Sequence, residues 1–445
     1  MTNRVGQLRL GAFFHPTGNH IASWLHKGAA IDAGTNFEHY KQIALMAEEG
    51  KFDLIFLADA LATRNGRLGA LKRWPQYMAY FDPQTLMSGL AAVTRHIGLV
   101  STATTSYNEP YHVARRYASL DHISHGRAGW NVVTSSNFSE SKNFGREEHL
   151  LHDEKYDRAE EFVEVVKKLW DSWDDDAFIR DRKTAIYFDP EKIHEANHVG
   201  PNFKVKGPLN VARPPQGYPV IAQAGRSPEF MSLASKHAEV IFTAQHDVER
   251  ANQFYEQMKS KLAEHGRERD DMKIMPGLNV VVAPTHKEAE DKYAYLQSLI
   301  HPDVGREVLS NELGNVDLSV IGPDEEVPIS LIPEARRTTF ERMKSLTGKA
   351  APTLSDLYRA FGSARGQRPL VGTPHSIVDE MQAWFNAYAA DGFLVHPSVL
   401  PEGLADFCDL IIPELQSRGL FRQDYEGQTL RENLGLARPV SQYAR

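Results

Sequence analysis

The chain has 445 residues, 42% of them hydrophobic and 24% charged, with a formal net charge of −8, a profile that fits a globular protein with room for a large core. The acidic balance argues against nucleic acid or an anionic membrane as main partner, and no apolar run reaches the ~18 residues of a membrane helix. The single cysteine, Cys408, excludes an intramolecular disulfide framework and reads as a small packing residue in an apolar helix. MTNRVGQLRL lacks the apolar core of a signal peptide, so a cytoplasmic location is expected.

Short β-rich runs alternate with helical periodicity from end to end, which predicts a parallel α/β fold. Strand one spans 8–14. A helix over 36–50 follows, with Asn36 placed to cap it and Gly50 to stop it. Strand two, 53–57, is the continuous apolar run DLIFL of a strand buried on both faces. A helix starts at Pro83, strand three covers 97–103, a helix covers 110–123, and strand four covers 128–133. The helix over 153–173 carries Phe162, Val165, Val166, Leu169 and Trp170 at three- and four-residue spacing. Strands five to eight are predicted at 219–223, 240–243, 274–282 and 392–396, with helices between them and a final helix over 402–418. Eight strand–helix repeats without G-x-G-x-x-G predict an α/β (β/α)8 TIM barrel rather than an open doubly wound sheet. The expected organisation is one domain, 1–445. Its insertions fall at about 60–82, 135–152, 174–217 (with a hairpin around 202–211) and 301–368 (partly helical, without a strand candidate). The tail, 421–445, is expected to pack on the surface or on a partner.

In such a barrel the chemistry belongs at strand C-termini. Those positions hold His15, Thr17 and His20 after strand one, Asp59 after two, and Thr102, Thr104 and Tyr107 after three. Asn131, Ser135 and Asn137 follow on strand four, Gln223, Gly225, Arg226 and Ser227 on five, Thr243 and Gln245 on six, and His396 on eight. The set is rich in hydroxyls and amides and poor in carboxylates, unlike a metal hydrolase, so no metal is expected. His149, His152 and Asp153 are the metal alternative. At a helix start, His152 and Tyr156 suit an anion or ring edge better, with simple capping of the helix as the bland reading for His152. In AGRSPEF, Gly225 permits close backbone approach, Ser227 can cap the helix and touch a phosphate, and Arg226 adds positive charge; an ordinary capped helix is the alternative. The alternative readings are a simple strand-end residue or cap for Asp59 and surface positions for His15 and His20, and Trp130 reads as barrel packing.

KFDLIFLAD (51–59), the TATTSYNEPYHVARRYASLDHISHGRAGWNVVTS run (102–135), NFGREEHLLHDEKYDRAEEF (143–162), QAGRSPEF (223–230), GTPHSIVDEM (372–381) and IIPELQSRGLFRQDYEGQTLRENLGL (411–436) occur in order. With them the chain resembles the flavin-dependent monooxygenases of the bacterial-luciferase-like superfamily, closest to the nitrilotriacetate, dibenzothiophene-sulfone and long-chain alkane monooxygenase group. The resemblance implies a barrel that binds reduced FMN (FMNH2) supplied by a separate NAD(P)H:flavin reductase. O2 is a co-substrate that forms a flavin peroxide and oxygenates a small, partly apolar organic substrate of organosulfur or xenobiotic type. It implies cofactor contacts at Asp59, Thr104, His152, Tyr156 and Ser227, and places Asn131 and Ser135 by the flavin edge; Thr102, Ala224 and Gly225 complete the cofactor set. His20 matches a first-loop histidine proposed as catalytic in the alkane enzyme, and His15, Thr17 and Tyr77 are expected in the substrate pocket. Thr17 stands where that enzyme has a cysteine and Arg64 near where it has a tyrosine, which argues against an alkane substrate. Trp74, Tyr77, Tyr80 and Phe81 suggest an aromatic-walled pocket, and 301–368 suggests a lid that keeps water out. A homodimer or homotetramer is the expected assembly. A deazaflavin-dependent oxidoreductase and a non-catalytic flavin-binding protein are the alternatives.

Overall fold

Eight parallel strands pair in sequence order and the last returns to the first. They are β1 (Arg9–Phe13), β2 (Leu54–Leu57), β3 (Gly98–Thr104), β4 (Ala128–Val133), β5 (Val220–Ala224), β6 (Val240–Thr243), β7 (Lys273–Val282) and β8 (Gly392–Pro397). The computed structural model describes residues 4–444 except 136, 366 and 368, and of Phe138 and His152 it describes only the backbone. Alternation sorts the strand residues into two sets. Leu54, Phe56, Val100, Val220, Ala222, Val240, Phe242, Met275 and Leu394 form the barrel interior. Ile55, Leu57, Leu99, Val280 and Val395, on alternate positions, join the core between barrel and helices. Trp130 is one of these outward residues, fully buried among Tyr117, Phe162 and Trp170, so its expected packing role holds. Helix starts follow the predicted chemistry: Asn36 accepts from the His39 amide at 3.2 Å, and Asp82 caps the helix that opens with Pro83.

Four features differ from the sequence reading. The tail does not rest wholly on the surface. Leu430 and Leu434, on the short helix Leu430–Leu434, and Leu436 beyond it enter the interior cluster and plug the N-terminal end of the barrel. Gly98, the first residue of β3, makes room for that plug: a Cβ there would lie 2.4 Å from Leu430 Cδ1. The hairpin pairs His198–Val199 with Lys204–Val205, earlier than predicted. Glu161 holds its turn, accepting from the amides of Asn202 at 2.9 Å and Phe203 at 3.0 Å. A further parallel strand, Pro369–Gly372, pairs with the upper half of β7 just beyond the 301–368 insertion. The final helix is interrupted: Glu402–Asp406 and Ile412–Ser417 flank a wider turn at Phe407–Ile411, because Pro413 has no amide proton to continue the ladder.

The insertion 301–368 contains the helices Pro302–Glu312, Arg337–Leu346 and Leu354–Ala364. It has its own apolar cluster, which Ile21, Ala22 and Trp74 join from the loops after β1 and β2. The insertion is thereby packed onto the C-terminal mouth of the barrel. Among the described residues, no helix is long and apolar enough to cross a membrane.

Candidate functional site

The inward face turns polar toward the barrel mouth. On β3 the apolar Val100 gives way to Thr102 and Thr104 two and four residues on. Thr102 Oγ1 donates to the Leu57 carbonyl and accepts from Asn131 Nδ2, both at 2.9 Å. Its hydroxyl therefore orients the Asn131 amide, whose Oδ1 is buried without a partner among the described residues. Thr104 Oγ1 lies 2.9 Å from Ser135 Oγ and accepts the Ser106 amide at 3.1 Å. Lys155 Nζ donates to the Ser135 carbonyl at 3.0 Å, tying this edge to the helix His152–Trp170. The structure thus brings Thr102, Thr104, Asn131 and Ser135 together.

Ala224 ends β5 exposed at the mouth. At Gly225 a Cβ would lie 2.7 Å from the Phe230 ring, so only glycine lets the chain pass that ring on its way to Ser227. Ser227 caps the helix Pro228–His237, its Oγ accepting the Phe230 amide at 3.2 Å while its own proton remains available to donate. Tyr156 packs against the cluster that contains Phe230 and Met231, beside this helix start. The side chain of His152 lies outside the described residues. Burial lowers the pKa values of His246 and Arg342; Arg342 and Arg226 add to the effect on His246, and Arg226 to that on Arg342. That marks a positively charged edge near Ser227. His149, weighed as a metal ligand, spends its ring nitrogens on the Tyr107 hydroxyl and the Asn137 carbonyl.

Asp59 lies just past β2, accepting from the Ala60 amide at 2.9 Å and the Tyr80 hydroxyl at 3.3 Å. Burial pushes its carboxyl up to about 6, with Asp82 and Glu140 adding to the shift and these hydrogen bonds opposing it. The folded value lies above the unfolded one, so ionisation costs stability that is absent at low pH and complete once the pH exceeds the folded pKa. Asp59→Asn is therefore expected to raise stability by about 1 kcal/mol at pH 8 and to leave it unchanged near pH 4. Urea midpoints at the two pH values measure this directly.

The loop after β1 supplies His15, Thr17 and His20 to a cavity of about 150 Å³ shared with Trp24, Trp74, Gln76 and Arg365. His20 is 1% exposed. Its Nδ1 accepts the Ala22 amide at 3.1 Å, which puts the ring proton on Nε2, and Nε2 is buried without a partner among the described residues. Burial, with the nearby Arg365 charge, lowers His20 and His396 to about 3 and His15 well below its usual value, so all three rings are neutral at pH 7. Thr17 Oγ1 is 2.7 Å from Ser23 Oγ and closes the loop on itself. Tyr77 meets His15 edge-on, ring centroids 6.0 Å apart. The aromatic cluster expected in one pocket is divided: Trp74 lines the larger cavity, while Tyr77, Tyr80 and Phe81 line a smaller one on the other side of His15.

Asn279, Arg365 and Gln367 escaped the sequence reading. Asn279 Nδ2 donates to Gln367 Oε1 at 2.6 Å, Asn19 Nδ2 donates to Asn279 Oδ1, and Arg365 Nε donates to the Asn19 carbonyl at 2.9 Å. One amide inside the apolar strand IMPGLNVVV was a usable signal; nothing local marks the other two.

Comparison with known proteins agrees with this architecture. The chain matches the family model of luciferase-like monooxygenases over residues 13–391. It is 48% identical over 448 residues to N-acetyl-S-(2-succino)cysteine monooxygenase of Bacillus subtilis (strain 168), covering 100% of both chains. It is 45% identical over 447 residues to nitrilotriacetate monooxygenase component A of Aminobacter aminovorans, covering 99% of this chain and 98% of the relative. The fold matches a riboflavin lyase solved with modified FMN and riboflavin, with a TM-score of 0.84 and 32% identity, covering 97% of this chain and 96% of that one. The chain belongs to the luciferase-like monooxygenases, the family that its sequence motifs resemble.

Proposed function

We propose that the protein is the oxygenating component of a two-component, FMNH2-dependent monooxygenase acting on a small, partly apolar organic molecule of organosulfur or xenobiotic type. A separate NAD(P)H:flavin reductase would deliver the reduced flavin, a reading supported by the name "component A" of the nitrilotriacetate relative. The carrying observation is the Asn131 amide: Thr102 fixes its orientation, and its buried Oδ1 has nothing to accept among the described residues. A flavin edge carries N–H groups that such an oxygen can accept. Thr104, Ser135 and Asp59 continue the polar rim, and Ala224 and Gly225 leave a bare backbone edge beside it. The Ser227 hydroxyl, the first amides of its helix and the Arg226–Arg342 edge suit a phosphate, and Tyr156 stands next to them.

When bound, reduced FMN supplies the two electrons with which O2 gives one oxygen atom to the substrate and one to water. The protein's share is positioning and dryness. His20 offers a neutral Nε2–H donor to the first-loop cavity, and the 301–368 insertion, packed on Ile21, Ala22 and Trp74, excludes water from it.

Photoreduced FMN mixed with the protein in aerated buffer is expected to reoxidise more slowly than free FMN; equal rates would rule the reading out. Ser227→Ala and Tyr156→Phe are each expected to weaken FMNH2 binding by about 1 kcal/mol, roughly a fivefold rise in Kd. Unchanged affinity in both would put the flavin elsewhere.

A further inference from the structure

We infer that the first-loop cavity is a carboxylate-binding substrate subsite, in which Arg365 receives an acid group carried by the molecule to be oxidised and Arg64, behind the Gln76 wall, adds to the positive charge. This deepens the monooxygenase reading and rests on it for what happens to the bound molecule. The two guanidiniums stand in an environment that gives them contacts but no counter-charge. Arg64 sits over Trp74, its guanidinium carbon 3.7 Å from the ring centroid, and donates to Gln76 Oε1 at 3.1 Å. Gln76 Nε2 reaches His15 Nδ1 at 3.0 Å, so Arg64 is joined to the cavity wall, while its own Nε is buried without a partner among the described residues. Arg365 forms part of that wall and spends its Nε on the Asn19 carbonyl.

The remaining neighbours do not neutralise this charge. No ion pair joins either guanidinium to a carboxylate among the described residues. Glu312 and Tyr77 act on both guanidiniums through space, but Glu312 is exposed and the Tyr77 phenol is held neutral by burial. Asp32 lies on the cavity's outer rim, exposed and engaged by Asn36 Nδ2 at 3.0 Å. His15, His20 and His396 surround the site as neutral rings. Burial and the repulsion from Arg64 lower the Arg365 pKa to about 9. Unpaired enclosed charge is costly, and an anion from outside removes that cost. The backbone adds an independent sign. Arg365 follows the helix Leu354–Ala364 in the left-handed conformation at φ 51°, a position that favours glycine. A long cationic residue is thus held, against local preference, where its head reaches the cavity. The planar guanidinium fork matches a carboxylate's two oxygens, while Trp74 and Ile21 supply apolar wall for the rest of a small molecule.

The test uses the full-length protein without flavin, so its outcome is separate from the flavin reoxidation assay. The probes are (benzylthio)acetate and its near-isostere (benzylthio)acetamide, which differ in charge, titrated by tryptophan fluorescence and by calorimetry. The carboxylate is expected to bind about tenfold or more tightly than the amide. Arg365→Gln and Arg64→Gln are each expected to shrink that ratio, and Arg365→Lys to keep part of it. Equal binding of the two probes, no binding of either, or a preference that survives both glutamine variants overturns the proposal. A carboxylate preference in a protein that leaves flavin reoxidation unchanged would retain the anion site and remove the monooxygenase reading.

Discussion

Replacing Arg422 by alanine is expected to destabilise the protein by about 3–5 kcal/mol, because it strands a carboxylate inside the barrel wall. Asp53, immediately before β2, is 0% exposed. Its Oδ2 accepts the Leu10 amide at 2.7 Å and its Oδ1 pairs with the Arg422 guanidinium. The same guanidinium donates to the Asn433 carbonyl at 2.9 Å, so one side chain joins the barrel wall to the segment that plugs its lower end. Alanine leaves Asp53 buried and unpaired. The double replacement Asp53→Leu/Arg422→Leu is expected to recover much of the loss, since apolar partners of similar volume carry no desolvation cost. Urea unfolding of the single and double variants decides the matter: a loss under about 1 kcal/mol for Arg422→Ala would make the pair structurally idle. Truncation at residue 420 goes further, removing Leu430, Leu434 and Leu436 from the interior cluster. The expected product is insoluble chain, recovered only in denaturant.

The tail also shows where sequence reasoning reaches and where it stops. The barrel strands are legible because each is a short apolar run bounded by turn residues, and their number fixes the closed parallel arrangement. The polar mouth is legible for the same reason: Thr102, Thr104 and Asn131 continue an inward stripe whose lower members are apolar. The plug was not legible. TLRENLGL offers apolar residues at helical spacing, but the surface they cover lies hundreds of residues away, on Gly98, Leu54 and Val220. Arg365 and Gln367 were hidden in the same way. Arg365 reaches the cavity and Gln367 reaches Asn279 because the helix Leu354–Ala364 packs on the first-strand loop, where the Ile21 amide meets the Gly362 carbonyl at 3.3 Å. The aromatic cluster failed as one pocket because His15 stands between its members, and no residue spacing records that.

His20→Asn is expected to lower the oxygenation rate by about 10²–10³-fold while leaving FMNH2 affinity within about twofold of the parent, since a preorganised donor in a dry site acts on charge that develops during the reaction. The distinction between a donor and a proton shuttle is open to measurement. A shuttle titrates in the working range, whereas the His20 pKa, lowered to about 3 by burial and Arg365, keeps the ring neutral from pH 5 to 8. His396 behaves alike. Among the described site residues with a displaced pKa, Asp59, pushed up to about 6, changes charge inside that window. The pH profile of the rate is therefore expected to break once, near 6, and to lose that break in Asp59→Asn. In His20→Asn the break should persist on a lower plateau. If the His20 substitution instead flattened the profile, His20 would be passing a proton, and its Nε2 would need a partner that raises its pKa by several units in the bound complex. Stability gives the opposite dependence on pH. Each buried neutral histidine has a folded pKa below its unfolded one, so the protein should weaken progressively as the pH falls below about 6.5, with His20→Asn weakening less steeply than the parent.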